Sequence, residues 1–160
     1  MPAGGLVPTT FEWLLCRAGR TLFGLPVNQL AEVMRPLPIE HISGMPPILL
    51  GLSIIRGLPV PVISAAQLLS NSDTNAERLV TMMIGGRTIA LAVGEVIGIR
   101  PIAPELLGTS SRLLQNAAPD AVEAIAALDG ELLLLLHAAR IVPQSLLDEI
   151  SAREASESSR

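Results

Sequence analysis

Residues 51–69 read GLSIIRGLPVPVISAAQLL. Apolar and β-branched residues flank Arg56-Gly57, and the run closes on the small string Ser64-Ala65-Ala66, a pattern of strand, turn, strand and helical turn. Pro59 and Pro61 stand two apart, so both missing N–H groups face the same neighbour and that side cannot carry an unbroken ladder. The segment is therefore expected at a sheet edge or barrel corner, with Val60 and Val62 pairing on the other side. Ser64 is the expected N-cap of a short helix ending at Leu69.

The same plan recurs at 127–142, ALDGELLLLLHAARIV. Gly57 falls on Gly130, Ser64-Ala65-Ala66 on His137-Ala138-Ala139, and Leu68-Leu69 on Ile141-Val142. Upstream, Gly19-Arg20-Thr21-Leu22 matches Gly86-Arg87-Thr88-Ile89, and Arg35-Pro36-Leu37 matches Arg100-Pro101-Ile102. A hairpin, a short excursion, a second hairpin and a helical turn, repeated in one order, point to an internal duplication.

Four dipeptides ending in glycine, Ala18-Gly19, Arg56-Gly57, Gly85-Gly86 and Asp129-Gly130, read as hairpin turns between apolar runs. Gly-Gly and Asp-Gly suit a type I′ turn. Ala and Arg do not, so those two hairpins are expected to use longer loops. Asn28 to Met34 reads as a second short helix capped by Asn28. Residues 70–77 form a polar linker, residues 108–119 a loop with a helical turn at 111–115. After Pro143, Ser145 opens a helix with Leu146, Leu147 and Ile150 on one face, and the tail beyond Arg153 is expected to fray.

Composition narrows the function. The chain has 160 residues, net charge −4 and 11 basic residues that are all arginine. These arginines are scattered and make no stripe for phosphates. Without tyrosine, and with only Phe11, Phe23 and Trp13 as aromatics, base-stacking platforms are missing too. Nucleic acid is a poor partner. A single cysteine and two separated histidines give no intrachain disulfide and no metal-ligand spacing. No secretory signal is recognisable and no apolar run reaches the roughly 20 residues that span a bilayer, so a soluble intracellular protein without direct membrane insertion is expected. The 49% hydrophobic content fits either apolar surface kept for association or an aliphatic core poor in aromatics.

The run at 51–69 resembles the central signature of CheW-like domains, a Gly-x-x-x-x-Arg-Gly stretch leading into a Pro-Val strand. FEWLLCRAGRTLFGLPVNQLAEVM, TMMIGGRTIALAVGEVIGI and ALDGELLLLLHAARIV follow the family's other landmarks in order. The resemblance implies an all-β fold of two pseudo-symmetric five-stranded SH3-like barrels with short connecting helices and a C-terminal helix. It assigns residues 9–143 to the CheW-like domain, with intertwined halves at about 11–69 and 78–142, and 144–160 to a terminal helix and frayed tail. It further implies a non-catalytic, cofactor-free cytoplasmic adaptor at membrane-associated receptor arrays. There it would couple methyl-accepting chemotaxis receptors to the regulatory domain of a CheA-type histidine kinase.

Partner-binding positions carry over residue by residue. Gly51, Arg56 and Gly57 match directly; Leu30, Glu32 and Val33 in the expected helix, and Val96 and Ile99 after the third hairpin, match in type. Arg56 offers a planar fork of donors to a carboxylate or carbonyls, or is simply a solvated turn arginine. Glu32 equally fits a solvated helix residue, and the four apolar positions equally fit a core. Ile54, Ser64, Gly94 and His137 depart from the family pattern, the last three where acidic residues are usual. These departures leave open an alternative: a divergent binding module serving a non-flagellar output such as type IV pili, or a different protein partner. An enzymatic reading would need Cys16 beside a histidine base. Arg17, its neighbour on a strand, points to the opposite face, and no phosphate-binding glycine loop is present.

Overall fold

The computed structural model describes residues 11–70, 72, 76–102, 121–142, 145, 146, 148–150 and 152. Ten strands run through them: β1 (Phe11–Ala18), β2 (Thr21–Pro26), β3 (Leu30–Met34), β4 (Leu49–Ile55), β5 (Leu58–Ser64), β6 (Arg78–Ile84), β7 (Arg87–Val93), β8 (Glu95–Ile102), β9 (Val122–Leu128) and β10 (Glu131–Leu136). Helix α1 (Ala65–Ser70) follows β5, and 3-10 turns occupy Val27–Gln29 and Ala138–Arg140. The expected loop at 108–119 with its helical turn at 111–115, Leu147 of the terminal helix and the tail beyond Arg153 lie outside the described residues.

The strands form two five-stranded sheets, ordered β8-β1-β2-β10-β9 and β3-β6-β7-β5-β4. Advancing each strand of the first half to its counterpart in the second converts one order into the other. Each sheet therefore draws on both sequence halves. The junctions are parallel ladders, Val62–Ser64 of β5 with Ala90–Ala92 of β7, and Leu133–Leu135 of β10 with Leu22–Gly24 of β2. All other pairings are antiparallel.

The repeat extends to the irregularities. A β-bulge opposite Leu15 and Cys16 in β8 has its counterpart opposite Met82 and Thr81 in β3. A bulge between Leu49 and Gly51 recurs between Val122 and Ala124. Bulges set twist and re-aim side chains, so their repetition is stronger evidence of duplication than matching letters. It also corrects two alignments. Arg100 lies opposite Trp13 and Met34 opposite Leu79, which equates Arg100 with Met34 and puts the two Arg-Pro strings one residue out of register. The first and third turns are closed by Ala18–Thr21 and Ile84–Arg87, which equates Gly19 with Gly85. The shared Gly-Arg-Thr string is thus one residue out of register, and a one-residue slip in a strand reverses every side chain.

Three local expectations are revised. Arg56-Gly57 is a two-residue turn closed by Ile55 and Leu58, not a longer loop, with φ of 52° and 80°. The first hairpin is also tight, but its turn residues are Gly19-Arg20, with only Gly19 at positive φ. The expected helix at 28–34 is instead a 3-10 turn followed by strand β3, and Asn28 caps nothing. Pairing with β6 overrides the weak helical pattern there.

Strand β5 is an interior strand rather than an edge. Pro59 and Pro61 lie opposite Ile54 and Leu52 of β4, and the ladder to β7 begins only at Val62. The prolines occupy the stretch where the β7 side has no ladder, which reconciles them with a central position. Ser64 does cap α1: its Oγ accepts the Gln67 N–H at 3.1 Å.

Each sheet curls around a small apolar core. Trp13, Leu15, Leu22, Ile102, Leu133 and Leu135 fill the first, while Ile55, Val60, Val62, Leu79, Ala90 and Ala92 fill the second. A larger cluster joins the sheets, bringing Leu14, Cys16, Phe23 and Leu136 of one against Ile63, Met82, Ile89 and Leu91 of the other. Helical residues Leu146 and Ile150 bury against this central cluster, as the sequence pattern predicts.

Candidate functional site

The tip of the β4–β5 hairpin brings Arg56 to Glu32 of β3. Arg56 Nε donates to Glu32 Oε1 and Nη2 to Oε2, each at 2.9 Å, a bidentate pair. β3 and β4 are the opposite edges of their sheet, so the pair spans the open side of the curled sheet. Glu32 is itself held by backbone: its N–H donates to Thr81 Oγ1 at 3.1 Å, and the same hydroxyl donates to the Glu32 carbonyl at 3.3 Å. The buried threonine thus satisfies the polar groups that the bulge takes out of the ladder.

Arg56 remains accessible. Its side chain is 76% exposed against 34% for Glu32, so the guanidinium keeps donors free to face solvent while the carboxylate fixes its plane. Holding a non-glycine residue at φ 52° costs about 1–2 kcal/mol, an energy not required for a generic turn. Around the pair, Ile54 (64% exposed), Leu58 (66%) and Val33 (43%) present apolar side chains to solvent. Single exposed aliphatics are ordinary. Ile54 and Leu58 lie on opposite faces of the β4–β5 hairpin, so each side of the Arg56 tip carries an exposed aliphatic residue, and Val33 adds a third beside Glu32 in β3.

The other residues singled out by sequence fall into distinct places. Gly57 is exposed and supplies the second positive φ of the turn, with open space where a Cβ would lie. Gly51 is buried in β4 and presents nothing to a partner; its α-carbon abuts the Glu40 carbonyl. Leu30 and Val96 are half-buried against the central cluster and occupy equivalent bulge positions in β3 and β8. Val33 and Ile99 are also equivalent, and both are exposed. The four apolar residues are thus two pairs related by pseudo-symmetry, one inward and one outward.

The equivalent face of the first sheet has different chemistry. Asp129 stands at the turn position of Arg56 with φ 51°, Gly98 stands at the position of Glu32, and no counterpart ion pair forms between them. Ile97, Ile99 and Leu132 are exposed there. Arg17 is engaged separately, with both terminal guanidinium nitrogens on Glu131 and Glu95 4.0 Å from its Nε. This pairing holds Glu131 below the usual carboxylate range. Sequence reading missed Leu58 and Ile97 as surface residues, since an alternating apolar strand does not reveal which face a partner strand leaves uncovered.

Gly94 is not the open surface position its sequence context suggests. It is half-buried, donates its N–H to the Arg17 carbonyl at 2.8 Å, and leaves only 3.1 Å between that oxygen and an added Cβ. His137 takes the place of Ser64 in the second half. Its N–H donates to the Ala121 carbonyl as that of Ser64 does to Ile48, but its side chain makes no capping bond.

Cys16 is fully buried, and desolvation pushes its thiol pKa up to about 12. A thiol this protonated is inert at neutral pH. Native protein is expected to resist an aromatic disulfide reagent until denatured; rapid labelling of the folded form would overturn this placement. Among the described residues no three His, Cys, Asp or Glu side chains are grouped as a metal site, and no helix is long and apolar enough to cross a membrane.

The CheW-like domain model matches residues 12–145. The chain belongs to the CheW-like family. Its fold is similar to that of the scaffolding protein TtCheW from Thermoanaerobacter tengcongensis, with a TM-score of 0.75 over 86% of this chain and 91% of that one, at 20% identity. No curated protein matches the sequence. The paired five-stranded sheets of this CheW-like chain agree with two SH3-like subdomains.

Proposed function

We propose that this CheW-like chain is a non-catalytic cytoplasmic adaptor that couples the tips of methyl-accepting chemotaxis receptors to the regulatory domain of a CheA-type histidine kinase. Family membership supports the adaptor class. The observation that carries the reading is Arg56, lifted on a strained two-residue turn, oriented by Glu32, and bordered by exposed Ile54, Leu58 and Val33. Apolar side chains around a planar cationic anchor are the composition of an interface hot spot, with burial supplying affinity and the guanidinium supplying direction. On the described surface, Val96 lies mostly under the fold and Ile99 outside it, so Ile99 is the contact of the two.

Arg56→Glu tests this reading. The substitution places a second carboxylate beside Glu32 and removes the donor fork, so binding to the cognate kinase regulatory domain is expected to weaken at least about 30-fold. Because the pair is surface-exposed, melting behaviour should change little. Arg56→Lys, which keeps charge without bidentate geometry, should fall between. Titration calorimetry with purified kinase domain and receptor tip measures all three. Wild-type affinity in a folded Arg56→Glu variant would refute this surface. A folded wild-type protein that binds neither partner would favour the alternative of a non-flagellar or different partner.

A further inference from the structure

Neither sequence half completes a sheet. β1, β2 and β8 receive the β9–β10 hairpin, while β3, β6 and β7 receive the β4–β5 hairpin. The acceptor edges are Leu22–Gly24 of β2 and Ala90–Ala92 of β7, each taking its donor in a parallel ladder. β3 and β8 also cross, pairing with β6 and β1 of the opposite half. Only the connection between Ser70 and Arg78 makes both halves belong to one molecule.

We infer that a second copy of this chain is a partner these acceptor edges fit, forming a strand-exchanged dimer. In that dimer the first half of each copy closes its sheets with the second half of the other. Every ladder, both pairs of bulges and the central cluster are reproduced contact for contact, so no new interface is needed and only the connection between Ser70 and Arg78 takes a new path. The opposing factor is the entropy of bringing two chains together, which concentration offsets. Ordinary face-to-face dimers need an additional complementary surface; this one uses the fold's own junctions. Release requires breaking the ladders and the core that joins the sheets, so the dimer persists once formed. Self-association of this kind uses none of the side chains assigned to partner binding at the Arg56 tip.

The test uses the full chain in which residues 71–77 are replaced by a protease recognition sequence of the same length, because a longer connection would itself favour the closed monomer. The protein is unfolded in denaturant, refolded at low and at high concentration, and its mass measured by light scattering before and after cleavage. The expected result is a dimer fraction that rises with refolding concentration, survives subsequent dilution, and falls to half its mass on cleavage. The mass halves because cutting the connections of an exchanged dimer frees two monomer-sized complexes. Monomer at every refolding concentration, or a dimer that keeps its mass after complete cleavage, would overturn the inference.

Discussion

Gly51→Ala is expected to lower stability by about 3–5 kcal/mol, a large share of the roughly 5–15 kcal/mol typical of a domain. Three effects combine. Gly51 has φ +148°, where an L side chain is strained by about 1–3 kcal/mol. An added Cβ would lie 2.1 Å from the Glu40 carbonyl oxygen and 2.7 Å from its carbon, so the backbone must move. Moving it disrupts the reciprocal bonds Glu40 N–H to Leu52 carbonyl at 2.7 Å and Leu52 N–H to Glu40 carbonyl at 2.9 Å, each worth about 1 kcal/mol. In thermal denaturation the melting point should fall by about 10 °C. Gly57→Ala is the control: its φ is +80° but no atom lies within 4 Å of the added carbon, so only about 1–2 kcal/mol of backbone strain is expected. Equal losses in the two variants would mean that the Glu40 contact is not what holds β4 in place. Any loss of partner binding in Gly51→Ala is then attributable to the displaced hairpin, since the glycine itself is covered.

Phe23→Ala should cost a similar amount, about 3–5 kcal/mol, because a fully buried aromatic leaves a cavity that its neighbours cannot fill. Phe23 lies in β2 within the cluster that joins the sheets. The expectation that matters is therefore the form of the transition as well as its midpoint. Trp13, the sole tryptophan, packs in the core of the first sheet, and its fluorescence reports that sheet, whereas far-ultraviolet circular dichroism reports both. The two signals should move together to a lower denaturant midpoint and remain superimposed. Separation into two transitions would show that the sheets are independent and that the shared cluster contributes little cooperativity.

The candidate surface was only partly legible from sequence. Arg56 stood out because local turn chemistry disfavours it, but the longer loop expected on that ground is replaced by a tight turn that holds Arg56 at φ 52°. Glu32 was named, but on an expected helix; pairing of β3 with β6 makes it a bulged strand residue and turns its carboxylate toward a hairpin 24 residues further along the chain. Ile54 and Leu58 flank Arg56-Gly57 in any reading. Whether they lie in or out depends on what covers the hairpin tip, and local alternation carries no such information.

Except at β3, strand identity, the presence of a turn at each of the four glycine sites, the cap at Ser64 and the duplication were set by the sequence itself, because alternation, positive-φ demands and capping act over a few residues. Tertiary structure alone decided that the halves exchange hairpins, that Pro59 and Pro61 sit inside a sheet, and that Gly51 meets Glu40. These outcomes depend on which distant edges pair and in which register. As the misleading Gly-Arg-Thr repeat demonstrates, similar letters can stand one residue apart in register, and only the mutual burial of complete sheets selects between the two.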